Sequence, residues 1–89
     1  MTLLSRDELV ALPTTFLPRA AAGLNLTVEA DRAIARIRLA TALAKNLLAD
    51  TLVRACRAHG IRHIRTGHQA AHALAAVAIP AIVRQEGTH

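Results

Sequence analysis

The sequence predicts an all-helical protein with a short helix, a long central helix and a second short helix. Hydrophobic residues make up 53% of the chain and aromatic residues only 1%. The interior must therefore be built from Ala, Leu, Ile and Val, which favours closely packed helices over a broad sheet. Residues 28–59 contain neither Gly nor Pro. This stretch predicts one continuous helix of about 48 Å at 1.5 Å per residue.

The first short helical region is predicted from capping and breaking residues. Ser5 is a favourable N-cap, and a glutamate three positions later completes a capping-box pattern. We expect this first turn to end before Pro13, and residues 1–11 are interpreted as an N-terminal extension. A second short stretch, 14–22, is then closed by a glycine.

The central helix is predicted to begin after Thr27 as its N-cap. It is apolar on several sides, and a helix of this kind must be covered on most of its circumference. Two short helices of the same chain are too small to cover it, so we expect an intertwined homodimer. The predicted dimer interface follows one apolar stripe and comprises Ile37, Ala44, Leu48, Leu52 and Ala55.

The C-terminal part is predicted to form a basic loop and a last helix. Gly60 ends the central helix, and the loop 61–65 follows. Thr66 can cap a helix that runs to about Val83, and residues 84–89 are expected to fray. The whole chain, 1–89, is interpreted as a single domain.

The charge distribution favours a polyanionic partner. The formal net charge is +5, and the segment from Arg32 to Arg65 holds eight basic residues against one acid, Asp50. A basic field of this density favours nucleic acid first and an anionic membrane surface second. The alternative is a solvated surface that only maintains solubility.

The remaining composition bears on compartment and chemistry. A single cysteine fits a reducing compartment, and the longest apolar run, 73–83, is too short to span a bilayer. We therefore expect a cytoplasmic protein without a membrane partner. No phosphate-binding loop, activated nucleophile or suitable carboxylate pair indicates catalysis, so neither an enzymatic activity nor a small-molecule substrate or cofactor is predicted.

A histidine-rich segment is the most specific chemical signal in the chain. His68 and His72 are spaced as i and i+4, a geometry that can hold Zn²⁺ or Cu²⁺. Cys56 and His59 share a face near the end of the predicted central helix. The spacing lacks a recognised metal motif, so no metal site is predicted. These four residues are kept as the candidates for one.

Three segments resemble the histone fold of archaeal and bacterial histone-like proteins. Residues 12–13 together with 18–24 are similar to the family's first helix and loop, residues 44–60 to the second half of its long helix, and residues 62–65 to its basic second loop. The chain departs from the family where His68 replaces an aspartate that clamps a loop arginine. The interval between the two loop glycines is also a few residues longer.

The resemblance implies a nucleoid-associated homodimer that binds and compacts double-stranded DNA without sequence preference. The implied phosphate contacts are Arg62 and Arg65 of the second loop, with Arg19 at the family's other basic position. Lys45 and the helix start near Thr27 are further candidate DNA contacts. Two other functions stay open: a protein-interaction module that uses residues 75–83, and a helical metal carrier.

Overall fold

Four helices make up the protein in the computed structural model, which describes residues 4–86. They are α1 (Arg6–Ala20), α2 (Glu29–Asn46), α3 (Ala49–Ala58) and α4 (Gly67–Glu86). The described part of the chain contains no strand, so the predicted all-α class is confirmed. Residues 1–3 of the expected extension and 87–89 of the expected frayed tail lie outside the described residues. Residues 84–86 were also expected to fray, but they form the last turn of α4.

Helix α1 begins as the sequence predicts but runs further. The Ser5 hydroxyl accepts the backbone N–H of Glu8, and the Glu8 carboxylate accepts the backbone N–H of Ser5. The helix then continues through Pro13, although a proline inside a helix removes one backbone donor. Pro13 is fully buried, so packing offsets that loss. The two short stretches expected on either side of Pro13 are therefore one helix, and residues 6–11 belong to it.

The predicted continuous helix over residues 28–59 is wrong. Helix α2 ends at Asn46, and Leu47 and Leu48 both adopt extended backbone conformations before α3 begins at Ala49. The Leu47 N–H still donates to the Leu43 carbonyl at 3.0 Å, and the Leu48 carbonyl accepts the Leu52 N–H at 3.1 Å. The interruption is thus a two-residue hinge with hydrogen bonds on both sides, and it needs neither Gly nor Pro.

The hinge lets both helices reach one core. A straight helix of this length would span about 48 Å, whereas the longest extent of the protein is 38 Å. Helix α4 packs most extensively against α2 and α3, and α1 contacts the same two helices. Leu39 and Leu43 of α2 therefore share the core with Leu52 of α3. A straight rod would hold these side chains too far apart for one short helix to cover.

The apolar stripe chosen for the dimer interface is divided by this arrangement. Leu52 and Ala55 are fully buried inside the single chain, so they cannot contact a partner. Ile37 and Leu48 are 62% and 77% exposed, and Ala44 is exposed as well. The residues of α2 that do enter the core are instead Ala35, Leu39, Ala40 and Leu43.

Local chemistry at the end of α3 and the start of α4 follows the prediction. Gly60 has φ +79°, and the Ile61 N–H bonds back to the Cys56 carbonyl at 2.9 Å, which closes the helix. The Thr66 hydroxyl accepts the Gln69 N–H at 3.1 Å as the N-cap of α4.

The start of α4 approaches α3 very closely. A Cβ atom added to Gly67 would lie 2.8 Å from the Cβ atom of Ala49. Only glycine fits there, and the contact holds the beginning of α3 against the beginning of α4.

Of the described helices, α4 contributes the most buried alanines to the core. Ala70, Ala71, Leu74 and Ala75 are completely buried, and Ile79 is nearly so. The segment 75–83, considered above as a protein-contact surface, therefore gives its inner side to the chain's own core. None of the described helices is both long enough and apolar enough to cross a membrane.

The hinge predicts that proline is tolerated at position 48. Leu48 has φ −68°, which is the value that proline imposes, and its N–H makes no backbone hydrogen bond among the described residues. Leu47, at ψ 148°, has the conformation that a residue before proline prefers. We expect Leu48→Pro to change the free energy of unfolding by less than about 1 kcal/mol, measured by urea denaturation in dilute solution.

The matched control is Arg36→Pro, at an exposed position inside α2. It should destabilise the protein by about 3 kcal/mol or more. Equal losses in the two variants would show that residues 28–59 form a continuous helix after all.

Candidate functional site

Most basic side chains of the protein lie on its surface. Arg32 and Arg54 are only half-buried, and both have partners. The Arg32 guanidinium donates to the Leu26 and Thr27 carbonyls at 3.1 Å, and Arg54 lies 3.7 Å from the Asp50 carboxylate. The exposed basic residues of the described chain are Arg6, Arg19, Arg36, Arg38, Lys45, Arg57, Arg62, Arg65 and Arg84.

Three of these exposed cations meet in one groove between α1 and α2. This α1–α2 groove has a volume of about 340 Å³. Arg19, Arg38 and Lys45 line it, and no carboxylate is among its lining residues. Its remaining lining residues are Ala20, Ile37, Thr41, Ala42 and Asn46. The structure thus brings together two predicted DNA contacts, Arg19 and Lys45, and adds a third cation, Arg38.

Helix ends position the cations of the α1–α2 groove. Arg19 lies in the last turn of α1 and Lys45 in the last turn of α2, where the helix dipole favours positive charge. Arg38 donates to the Ala22 carbonyl at 3.1 Å, just beyond the end of α1. This bond ties the middle of α2 to the end of α1 and leaves the other guanidinium donors of Arg38 available to a ligand.

At the helix start near Thr27, local hydrogen bonds engage the side chain and N–H of Thr27. The Thr27 N–H and hydroxyl both donate to Asn25 Oδ1, at 3.1 and 2.7 Å. The Asp31 carboxylate accepts the Asn25 N–H at 2.8 Å. The N-cap of α2 is Val28, not Thr27 as predicted. The N–H and hydroxyl of Thr27 itself are therefore engaged with Asn25, whereas no side chain of the described residues caps the first N–H groups of α2. Phosphate binding at this helix start stays a prediction.

The predicted loop arginines, Arg62 and Arg65, do not line the α1–α2 groove. Arg62 lines a second cavity, of about 490 Å³, which we call the loop cavity. Its other lining residues are Val53, Arg57, Ile61, His63 and Ile64, and none is shared with the α1–α2 groove. Arg65 is exposed, and its N–H donates to Gln69 Oε1 at 3.1 Å. Of the five predicted DNA contacts, Arg19 and Lys45 line the α1–α2 groove and Arg62 lines the loop cavity.

The four metal candidates do not form a cluster. The Cys56 thiol is buried and donates to the Ala70 carbonyl at 3.4 Å. His59 Nε2 lies 2.9 Å from the Val10 carbonyl. His68 and His72 have ring centroids 4.5 Å apart and share a different groove with Lys45. Within residues 4–86, no group of three or more His, Cys, Asp or Glu residues could hold a metal ion.

An exposed apolar face runs along the outside of α2. Ile34, Ile37 and Ala44 recur at spacings of three and seven positions, and Leu48 continues the line at the hinge. We call these four residues the outer face of α2. Arg38 and Lys45 lie on the flank of this face that points toward α1. Ile37, Ala44 and Leu48 thus stay available as dimer contacts.

Sequence reasoning missed Arg38 of the α1–α2 groove and Arg57 of the loop cavity. A usable signal for Arg38 was its spacing of seven positions from the predicted contact Lys45, which places both on the same side of a helix. Arg57 lacks such a signal, because only the turn at Gly60 brings it to the loop cavity.

Comparison with known proteins finds no matching family model, no matching curated protein and no matching solved structure.

Burial of Cys56 gives a prediction about thiol chemistry. Desolvation by burial raises the pKa of the Cys56 thiol, so the folded protein favours the neutral form. The unfolded chain loses this proton at a lower pH, and stability should therefore fall as pH rises through the range in which exposed thiols ionise. A disulfide reagent should label native protein at neutral pH at least tenfold more slowly than urea-unfolded protein.

Cys56→Ala serves as the control for the pH dependence. In this variant, the fall in the free energy of unfolding that thiol ionisation causes at alkaline pH should be absent. Rapid labelling of the native protein would contradict the buried position.

Proposed function

We propose that this chain is a homodimer that binds double-stranded DNA through backbone phosphates, without reading the base sequence. The observation that carries this function is the α1–α2 groove, where Arg19, Arg38 and Lys45 converge and no carboxylate lines the surface. Guanidinium groups match phosphate oxygens in geometry as well as charge. The net charge of +5 adds long-range attraction to a polyanion.

The arrangement proposed here differs from the histone fold. The resemblance implies one long central helix that crosses its partner, whereas α2 and α3 are separated at Leu47–Leu48. The DNA ligand and the two-fold dimer are retained as proposals. The intertwined packing is not retained, because the residues of α3 that it requires at the interface are already buried in the chain's own core.

The outer face of α2 is the proposed dimer contact. Ile37 and Leu48 are the two most exposed large apolar side chains of the described residues. Exposed apolar patches on small proteins commonly mark interaction sites. Two α2 helices can pack antiparallel through this face, and small residues at Thr41 and Ala44 allow a close approach at the crossing point.

Symmetry gives this dimer a functional consequence. A two-fold axis that lies between antiparallel helices, perpendicular to both, keeps corresponding flanks on the same side of the pair. The flank that carries Arg38 and Lys45 would then lie beside its symmetry mate. The two α1–α2 grooves would form one surface with six cations, which is larger and more strongly basic than a single chain provides.

Like charges on the shared flank oppose this association. Bound phosphates neutralise them, so DNA binding and dimerisation should stabilise each other. The same repulsion should weaken the proposed dimer in low salt without DNA.

The DNA proposal predicts a steep salt dependence that reports the number of cations. Six phosphate contacts give a slope of log K against log salt of about −5.4, and three contacts give about −2.7. Arg19→Gln removes two contacts from a dimer and should make the slope less negative by about 1.8. Fluorescence anisotropy with two unrelated duplexes of equal length measures both the slope and the sequence preference.

Arg6→Gln is the matched control, because Arg6 is exposed but does not line the α1–α2 groove. It should leave the slope nearly unchanged. A folded protein that does not bind either duplex at low salt would overturn the DNA proposal.

The dimer proposal predicts the effect of a charge on the outer face of α2. Ile37→Glu should hold the protein as a monomer in sedimentation velocity, because it buries a carboxylate against the partner helix. Val77→Glu is the control, since Val77 is 41% exposed on α4 and lies off this face. Added duplex DNA should increase the dimer fraction of the unmodified protein. A wild-type protein that stays monomeric with and without DNA would exclude the symmetric dimer.

A further inference from the structure

The loop cavity lies between α3 and the loop that follows it, and its lining residues differ from those of the α1–α2 groove. We propose that it binds a small organic anion, namely a carboxylate or phosphate monoester attached to an apolar body. The cavity volume is about 490 Å³. Sites for small ligands commonly lie between about 300 and 1,000 Å³. Arg62, which the histone resemblance assigns to DNA, would bind this small anion instead.

The floor of the loop cavity is apolar. Val53, Ile61 and Ile64 line it, and all three are half-buried and packed against the core. These side chains are fixed on their inner sides by the rest of the protein. Their outer sides offer a surface that an aromatic or aliphatic body can cover, with the gain in free energy that follows removal of apolar area from water.

The rim of the loop cavity is cationic. Arg57 and Arg62 are exposed, and their guanidinium groups make no hydrogen bond or salt bridge among the described residues. The imidazole of His63 lies on the same rim. No carboxylate lines the cavity, so its charge is not neutralised from within. An oxyanion can accept a bidentate pair of hydrogen bonds from either arginine.

The backbone presents these groups in a defined arrangement. The turn at Gly60 holds Ile61 against the end of α3, and the capped start of α4 holds the other end of the loop. Between them, His63 has φ +68°, a left-handed conformation that is unusual for a residue other than glycine. This conformation turns the chain so that Arg62, His63 and Ile64 all line one cavity. Strained backbone of this kind is concentrated at functional sites.

The two proposed binding activities can fail independently. The loop cavity and the α1–α2 groove share no lining residue. Loss of DNA binding in an Arg19 variant therefore says nothing about the loop cavity, and the reverse holds for an Arg62 variant.

The test is an NMR titration of the full ¹⁵N-labelled chain with benzoate and phenyl phosphate. Benzyl alcohol provides the apolar body without charge, and inorganic phosphate provides the charge without the body. We expect saturable shifts for both organic anions at the backbone amides of residues 60–65. The two incomplete probes should bind at least fivefold more weakly. Shifts of equal size and affinity with inorganic phosphate, or with benzyl alcohol, would overturn the proposed ligand class.

Variants assign the binding to the rim and floor. Arg62→Gln and Arg57→Gln should each weaken phenyl phosphate at least fivefold, and Val53→Thr should weaken the organic anions but not inorganic phosphate. Arg84→Gln is the control, since Arg84 is an exposed cation that does not line the cavity. Unchanged affinity in both rim variants with intact spectra, or shifts located at the α1–α2 groove instead, would overturn the proposal.

Discussion

Close packing of alanine-rich helix faces is the constraint on which the rest of the structure depends. Small side chains bury little area each, so the helices must approach one another closely and every helix must contact at least two others. Helix α4 meets this requirement with a face of fully buried alanines, and Gly67 lies directly against Ala49 of α3. A straight central helix cannot keep both of its halves against α4. The hinge at Leu47–Leu48 satisfies the packing requirement, because it brings Leu43 and Leu52 into the same core.

The surface follows from the same packing. Because Leu39 and Leu43 turn toward α4 and α1, the opposite side of α2 keeps Ile37 in solvent. The helix ends gather cations for an electrostatic reason, since the carbonyl ends of α1 and α2 favour positive side chains in their last turns. An apolar helix face with a basic groove along one flank is the result. Dimerisation and phosphate binding are proposed together because they use adjacent parts of that surface.

Local hydrogen-bond chemistry explains what could be predicted from the sequence. The Ser5 cap, the Gly60 helix end and the Thr66 cap depend on residues within a few positions of one another, and all three are present. The hinge has no comparable signal, because leucine is a good helix former and neither Gly nor Pro is nearby. The choice of core stripe on α2 was equally undetermined. A helix that is apolar on several sides can bury any of them, and only its neighbours decide which.

The sequence by itself determined an all-helical chain, a basic surface and several of its cations. It also determined where most of the described helices begin or end, because caps and helix-ending glycines act over short distances. Only the tertiary structure decided that Arg19 and Lys45 meet with Arg38, that Arg62 belongs with Arg57, and that Leu52 is internal. Packing of α1 against α2 brings Arg19 to Arg38 and Lys45, and the turn at Gly60 brings Arg62 back to Arg57. The burial of Leu52 depends on the direction that α3 takes after the hinge, and the packing of α3 against α4 fixes that direction.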